Sequence, residues 1–162
     1  CYDIDSTFLC EEYINSLKIN NLKSVEFITI YNSKILFIEA KKTAPFPKNI
    51  EIENSDYKKY INDICQKAKD SFAIFASIIM NLREENICIK LRNADYKNIE
   101  FKLVVIIKNH DKKWCGQIKN ALENNLRHFA KVWNWGTYPV MVLNEQMACD
   151  KGLVIDREQT EK

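Results

Sequence analysis

Three residues near the start of the chain, Glu26, Glu39 and Lys41, have the types and spacing that metal-assisted hydrolysis requires. Side chains on a β-strand alternate between faces, so Glu39 and Lys41 of Ile38-Glu39-Ala40-Lys41 point the same way, and Leu36, Ile38 and Ala40 point the other. Two strand-like runs, Val25 to Tyr31 and Lys34 to Lys41, flank Asn32-Ser33. If that pair is the turn of a hairpin, Tyr31 pairs with Lys34, Phe27 with Ile38, and Glu26 falls opposite Glu39; a four-residue loop with the same centre keeps this register. Two carboxylates whose Cβ atoms stand ~4.5–5.5 Å apart destabilise a sheet unless something bridges them. A divalent cation removes the conflict. Hard oxygen ligands suit Mg²⁺ or Mn²⁺, and a lysine beside them can orient or help deprotonate an attacking water and stabilise charge developing on phosphorus. Ile28, Ile30, Ile35 and Phe37 share this face, which should therefore be at least partly covered.

In this arrangement the chain resembles the restriction-endonuclease-like, or PD-(D/E)xK, nuclease superfamily. Glu26 matches the acidic residue on one strand, Glu39 and Lys41 match the E-x-K of the next, and the Ala40 carbonyl matches the usual backbone ligand. The resemblance implies a metal set of Glu12, Glu26, Glu39 and Ala40. Glu12 supplies the carboxylate from the preceding helix, and Glu11 is its alternative because the two flank the apolar stripe about equally. Two features differ from the common pattern: Glu stands where Asp is usual, with no Pro before it, and only Leu22-Lys23-Ser24 is available for the first strand of the family's meander. The fold implied is an α/β restriction-endonuclease-like core, a mixed β-sheet flanked by helices. The activity implied is phosphodiester hydrolysis, of DNA ahead of RNA. Nucleases of this plan often dimerise to cut two strands, so a homodimer is expected by that analogy.

The elements that must position these residues follow from periodicity. Leu9, Tyr13 and Leu17 recur every fourth residue after Asp5-Ser6-Thr7, which predicts an amphipathic helix from Ser6 to about Leu17. After the hairpin, Pro45 and Pro47 interrupt regular structure, and Ser55 offers a cap for a helix from Asp56 to about Arg83. Its second half, Phe72 to Leu82, is apolar nearly all round and should be buried. Leu103 to Ile107 is an unbroken apolar run, expected as an interior strand beside that of Glu39 and covered by the Phe72–Leu82 helix. Trp114 to Trp133 reads as a helix and Tyr138 to Leu143 as a last strand, giving the order α-β-β-α-β-α-β.

Composition sets the bounds. The 162 residues, 46% hydrophobic and 28% charged with a net charge of +2, suit one domain over 1–162 with a polar tail from Asp156 to Lys162. So small a net charge neither supports nor excludes a nucleic-acid partner. The six cysteines form no C-x-x-C pair, which leaves zinc with little support and fits a reducing, cytoplasmic setting. No run approaches the ~20 apolar residues of a membrane span. The chain starts at Cys1 rather than Met, so its front end carries little weight for or against a signal peptide.

Other signals have plainer explanations. His110 and His128 stand far apart and suit surface or capping roles. Trp133, Trp135 and Tyr138 could stack on bases, but aromatics beside a helix end are more often core. Lys112, Lys113, Lys119, Arg127 and Lys131 could face phosphates, yet read first as a solvated helix face. Lys41, Lys42 and Lys48, with the Thr43–Asn49 loop, are nearer the candidate site. The competing reading of the cluster is a structural Glu26–Lys41 ion pair with Glu39 solvated at a sheet edge. A nuclease-like fold without turnover that recognises nucleic acid or a protein partner is a second reading, which needs no divalent site at Glu26 and Glu39; a scaffold or interaction subunit unrelated to nucleases is a third, favoured if the two glutamates point to opposite faces.

Overall fold

The computed structural model describes residues 22–46, 56–84 and 87–154. The expected Ser6–Leu17 helix with Glu11 and Glu12, Lys48, and the tail from Asp156 lie outside the described residues. Within them the chain is an α/β protein with a four-stranded mixed sheet in the order β1-β2-β3-β4, packed against helices. The strands are β1 (Phe27–Tyr31), β2 (Lys34–Lys41), β3 (Glu100–Ile107) and β4 (Val140–Asn144). The helices are α1 (Asp56–Ile79), α2 (Ile89–Arg92), α3 (Lys112–Val132) and α4 (Glu145–Asp150).

β1 and β2 form an antiparallel hairpin in the register that the turn predicts, with Tyr31 on Lys34 and Phe27 on Ile38. Asn32 and Ser33 both take positive φ, 47° and 57°, as a two-residue turn of the type I′ kind demands. β2 then pairs parallel with β3, Glu39 beside Val105 and Lys41 beside Ile107, and β3 pairs parallel with β4. Having partners on both sides, β3 is interior, and its Leu103 to Ile107 run is buried throughout.

The sheet separates two cores. On one face Ile35, Phe37, Leu103, Val105 and Ile107 pack with the buried sides of α1 and α3. Phe37 stacks on Trp135 at 5.5 Å between centroids and meets Phe75 edge-on at 5.8 Å, and Phe72 meets Phe101 at 5.2 Å. On the other face Leu36, Ile38, Val104 and Ile106 meet Leu143, Ala148, Leu153 and Val154 in a smaller core.

Boundaries shift for identifiable reasons. α1 ends at Ile79 rather than Arg83 because Asn81 turns left-handed at φ 57°. α3 begins two residues before Trp114, capped by the Asp111 side chain, which accepts from the Lys113 N–H at 3.1 Å. β4 begins after Pro139, at Val140 rather than Tyr138. Short α2 and α4 were not expected; α4 is capped by Asn144, whose side chain accepts from the Met147 N–H at 3.0 Å.

Ser33, exposed and in left-handed backbone, carries a Cβ that this conformation disfavours. Ser33→Gly should therefore stabilise the fold by about 0.5–1 kcal/mol. Chemical denaturation should show a higher midpoint at unchanged slope, and a lower midpoint would contradict the turn assignment.

Candidate active site

The cluster is built around Glu39, whose side chain is 0% exposed. Its alternation on β2 turns it toward α1, on the side of Ile35 and Phe37. Oε1 lies 2.7 Å from Lys41 Nζ and 2.7 Å from Lys67 Nζ. Oε2 is buried with no hydrogen-bond partner among the described residues. Lys41 reaches Glu39 because it stands two residues on along the same face. Lys67 comes from the middle of α1, where Ile64, Cys65 and Ala68 turn inward and leave its amine beside the sheet. Tyr60, seven residues before Lys67 and so on the same side of the helix, has a buried hydroxyl without a partner. Burial first, and then the negative charge of Glu39, hold that phenol well above its ordinary range.

Glu26 joins the cluster by a route that strict hairpin pairing does not predict. Ladder pairing stops at Phe27, and Glu26 sits at a bend where its N–H donates to the Ile38 carbonyl at 3.0 Å. Val25 and Ile28 both enter the first core although they are three residues apart, so one extra residue is accommodated between them, as in a β-bulge. The Val25 N–H, donating to Ser71 Oγ at 2.8 Å, fixes this entry against α1. Glu26 is thus not the strand partner of Glu39 that a regular register would make it. Its carboxylate nonetheless feels Glu39, Lys67 and Lys41 and is stabilised by the Ala40 N–H. Desolvation, followed by the Glu39 charge, raises the Glu26 pKa above the ordinary carboxylate value. Burial alone would lower the Lys41 amine, but the hydrogen bond and charge of Glu39, with Asp63 and Glu26, outweigh it and the pKa is raised.

The structure therefore brings Glu26, Glu39, Ala40 and Lys41 together, while Glu12 and Glu11 lie outside the described residues. Among the described residues no group of three or more His, Cys, Asp or Glu side chains could hold a metal ion. What is present is two carboxylates and a strand carbonyl. Because the Lys41 carbonyl accepts from the β3-side Lys108 N–H, backbone alternation sends the Ala40 carbonyl to the β1 edge, where Glu26 stands. The open Oε2 of Glu39, the Glu26 carboxylate and this carbonyl are hard oxygen donors of the kind Mg²⁺ or Mn²⁺ takes, and Mg²⁺ commonly binds through one or two carboxylates and keeps several waters. The donor set fits such an ion, with Lys41 and Lys67 as its competitors for Glu39.

Beside the cluster lies a groove of 880 Å³ whose lining includes Lys23, Thr43, Lys59, Tyr60, Asp63 and Gln66. Tyr60 borders both groove and cluster. Sequence reasoning missed Lys67 and Tyr60; the available signal was their seven-residue spacing on one helix, shared with many solvated positions.

The remaining signals resolve individually. His110 is buried rather than at the surface, and burial lowers its pKa. His128 is exposed. Trp135 belongs to the core, whereas Trp133 is 42% exposed. Lys112, Lys113, Arg127 and Lys131 are exposed along α3. The expectation of a solvated Glu39 fails outright, since its side chain has no exposed surface and is held by Lys41 of β2 and Lys67 of α1. No helix among the described residues is long and apolar enough to cross a membrane. No family model, curated protein or solved structure matches the chain.

Both raised pKa values depend on Glu39, with opposite effects on stability. Lys41 contributes stabilisation that is complete below the ordinary lysine value of 10.5 and is lost as pH rises through its raised value. Ionising Glu26 removes stability as pH rises from its ordinary 4.5 through its raised value. In Glu39→Gln the titrations of Glu26 and Lys41, followed by carboxyl- and amine-resolved NMR, should both move down. An unmoved Glu26 curve would show that the two carboxylates do not share a site.

Proposed function

We propose that the chain is a metal-dependent nuclease of restriction-endonuclease-like architecture, hydrolysing phosphodiesters of DNA in preference to RNA. The observation that carries this reading is the buried Glu39, with one oxygen held by two ammonium groups and the other unpartnered, beside a second carboxylate of raised pKa. Glu26, Glu39 and the Ala40 carbonyl would hold Mg²⁺ or Mn²⁺, with Glu12 as the helix carboxylate that the family resemblance adds. The ion would supply Lewis-acid polarisation of the scissile phosphate and charge neutralisation. Lys41 orients the attacking water and stabilises negative charge as it builds on phosphorus. Lys67, held on the same Glu39 oxygen, gives a second ammonium that can move from carboxylate to phosphate. The groove past Tyr60 offers Lys59 to the flanking backbone, while Lys23 is held there by Asp63 at 2.5 Å.

One observation favours a second reading. Lys41 and Lys67 already neutralise Glu39 without any metal, as a structural ion cluster would. A nuclease-like fold lacking turnover, acting as a nucleic-acid or protein binding module, is the alternative.

The full chain should cleave DNA with Mn²⁺ and not with chelator. Lys41→Ala should lose about 10²–10³ in rate while binding Mn²⁺ at least as well as wild type, because the group acts on charge present only in the transition state. Glu39→Ala should lose both cleavage and Mn²⁺ binding by calorimetry. Lys67→Ala should cleave more slowly yet bind Mn²⁺ more tightly, one of the two ammonium groups that share the Glu39 charge with the ion having been removed. Equal rates in wild type and Lys41→Ala would overturn the site, and binding without cleavage of single-stranded, duplex or branched DNA or of RNA would establish the binding module.

A further inference from the structure

The opposite face of the sheet carries a second out-of-place charge. Lys102 lies on the interior strand β3, beside Leu36 of β2 and two residues before Val104, on the side of the smaller core. It opens into a cavity of 370 Å³ floored by Leu36, Val104, Met141 and Leu153. Lys34 from the hairpin and Lys151 from the turn after α4 complete the rim, so three ammonium groups face one lining carboxylate, that of Asp150. The rim is held in place: Tyr31 Oη donates to the Lys151 carbonyl at 2.9 Å, tying the turn after α4 to the hairpin.

The acidic groups nearby are otherwise engaged. Asp150 accepts from Gln146 Nε2 at 2.9 Å, and Glu100 pairs with Lys34. No ion pair reaches Lys102 or Lys151 among the described residues. Burial first, and then the charge of Lys34, depress the Lys102 pKa; Glu100 opposes them, and Lys119 and Lys151 add smaller depressions. A lysine on a central strand, over an apolar floor and among like charges, is a locally unfavourable choice that a bound anion would relieve.

We propose that this lysine-rimmed cavity binds a small phosphomonoester with an apolar or aromatic body. The Lys102 and Lys151 ammonium groups, which no ion pair engages among the described residues, match the dianionic phosphate, with Lys34 beside them held on Glu100, and the Leu36–Val104–Met141–Leu153 floor matches the body it carries. The volume admits one molecule of mononucleotide size and excludes a polymer. The site faces away from Glu39 and lies at the other end of β2, so its ligand does not enter the cluster.

Calorimetry on the full chain with adenosine 5′-monophosphate, hexyl phosphate, inorganic phosphate and adenosine tests this. At least one monoester should bind, the tighter one identifying the body; inorganic phosphate should bind about tenfold more weakly or worse, and adenosine not measurably. NMR shifts should centre on Tyr31, Met141 and Leu153. Lys102→Met and, at an exposed position that leaves the core untouched, Lys151→Ala should each weaken the monoester about tenfold. Mn²⁺ binding should be unchanged in both. Absence of monoester binding to wild type, equal binding by both variants, or shifts centred on Glu39 would each overturn the proposal.

Discussion

Burying an ionised carboxylate forfeits several kcal/mol of hydration, which nearby opposite charge must restore if the group is to stay charged. Glu39, with no exposed surface, is held under that constraint by one lysine from its own strand and one from α1. The first needs only strand alternation. The second needs α1 to cross β2 at one rotation and one height, because Lys67 can reach Oε1 only from a particular turn. Once that turn is placed, Phe72 and Phe75 fall, one and two turns further on, against Phe37. The ion cluster and the aromatic core therefore fix the same helix from two ends. Between them the Ser71 hydroxyl receives the Val25 N–H and sets where β1 begins.

The aromatic end depends on a chain reversal after α3. Asn134 takes φ 50° and Gly136 φ 84°, and the residue between them, Trp135, turns inward to stack on Phe37. At Gly136 an added Cβ would stand 3.4 Å from the Glu100 side chain and in a backbone region that side chains disfavour, so glycine suits this reversal on both counts. Phe72, Phe101 and Phe129 complete the packing around the indole. Rigid aromatic contacts of this kind limit how far β2 can shift, and with it Glu39.

Much of this was legible in the sequence, for a definite reason: period-two alternation and a two-residue turn leave little freedom of register. The β1–β2 pairing, the sharing of a face by Glu39 and Lys41, the buried run of β3 and the covering apolar half of α1 all follow from patterns that tertiary packing reinforces. Three features did not follow. Lys67 is one of several lysines on α1, among them Lys58, Lys59 and Lys69, and only the helix's rotation against the sheet distinguishes it. The bend at Glu26 depends on Val25 and Ile28 sharing a core, a parity break that the apolar pattern alone does not declare. His110 stands alone in the sequence, which suits a surface or capping role, yet it is buried in the turn between β3 and α3.

β2 and β3 carry one misplaced charge on each face, and the two faces treat them differently. Toward α1, the anion Glu39 meets Lys67 at hydrogen-bonding distance, so the covering helix brings opposite sign. Toward α4, the cation Lys102 meets a covering turn that brings Lys151, of the same sign. Hydrophobic burial alone would select apolar residues at both positions, since each charge lies over an apolar floor. The first departure is compensated within the chain, leaving only Oε2 of Glu39 open. The second has no ion-pair partner among the described residues, and the Glu100 charge offsets only part of the burial and repulsion that act on Lys102. A sheet that tolerates both does so because its larger core, from Phe37 to Trp135, lies on the face where the charge is satisfied, so the strained cation burdens only the smaller core.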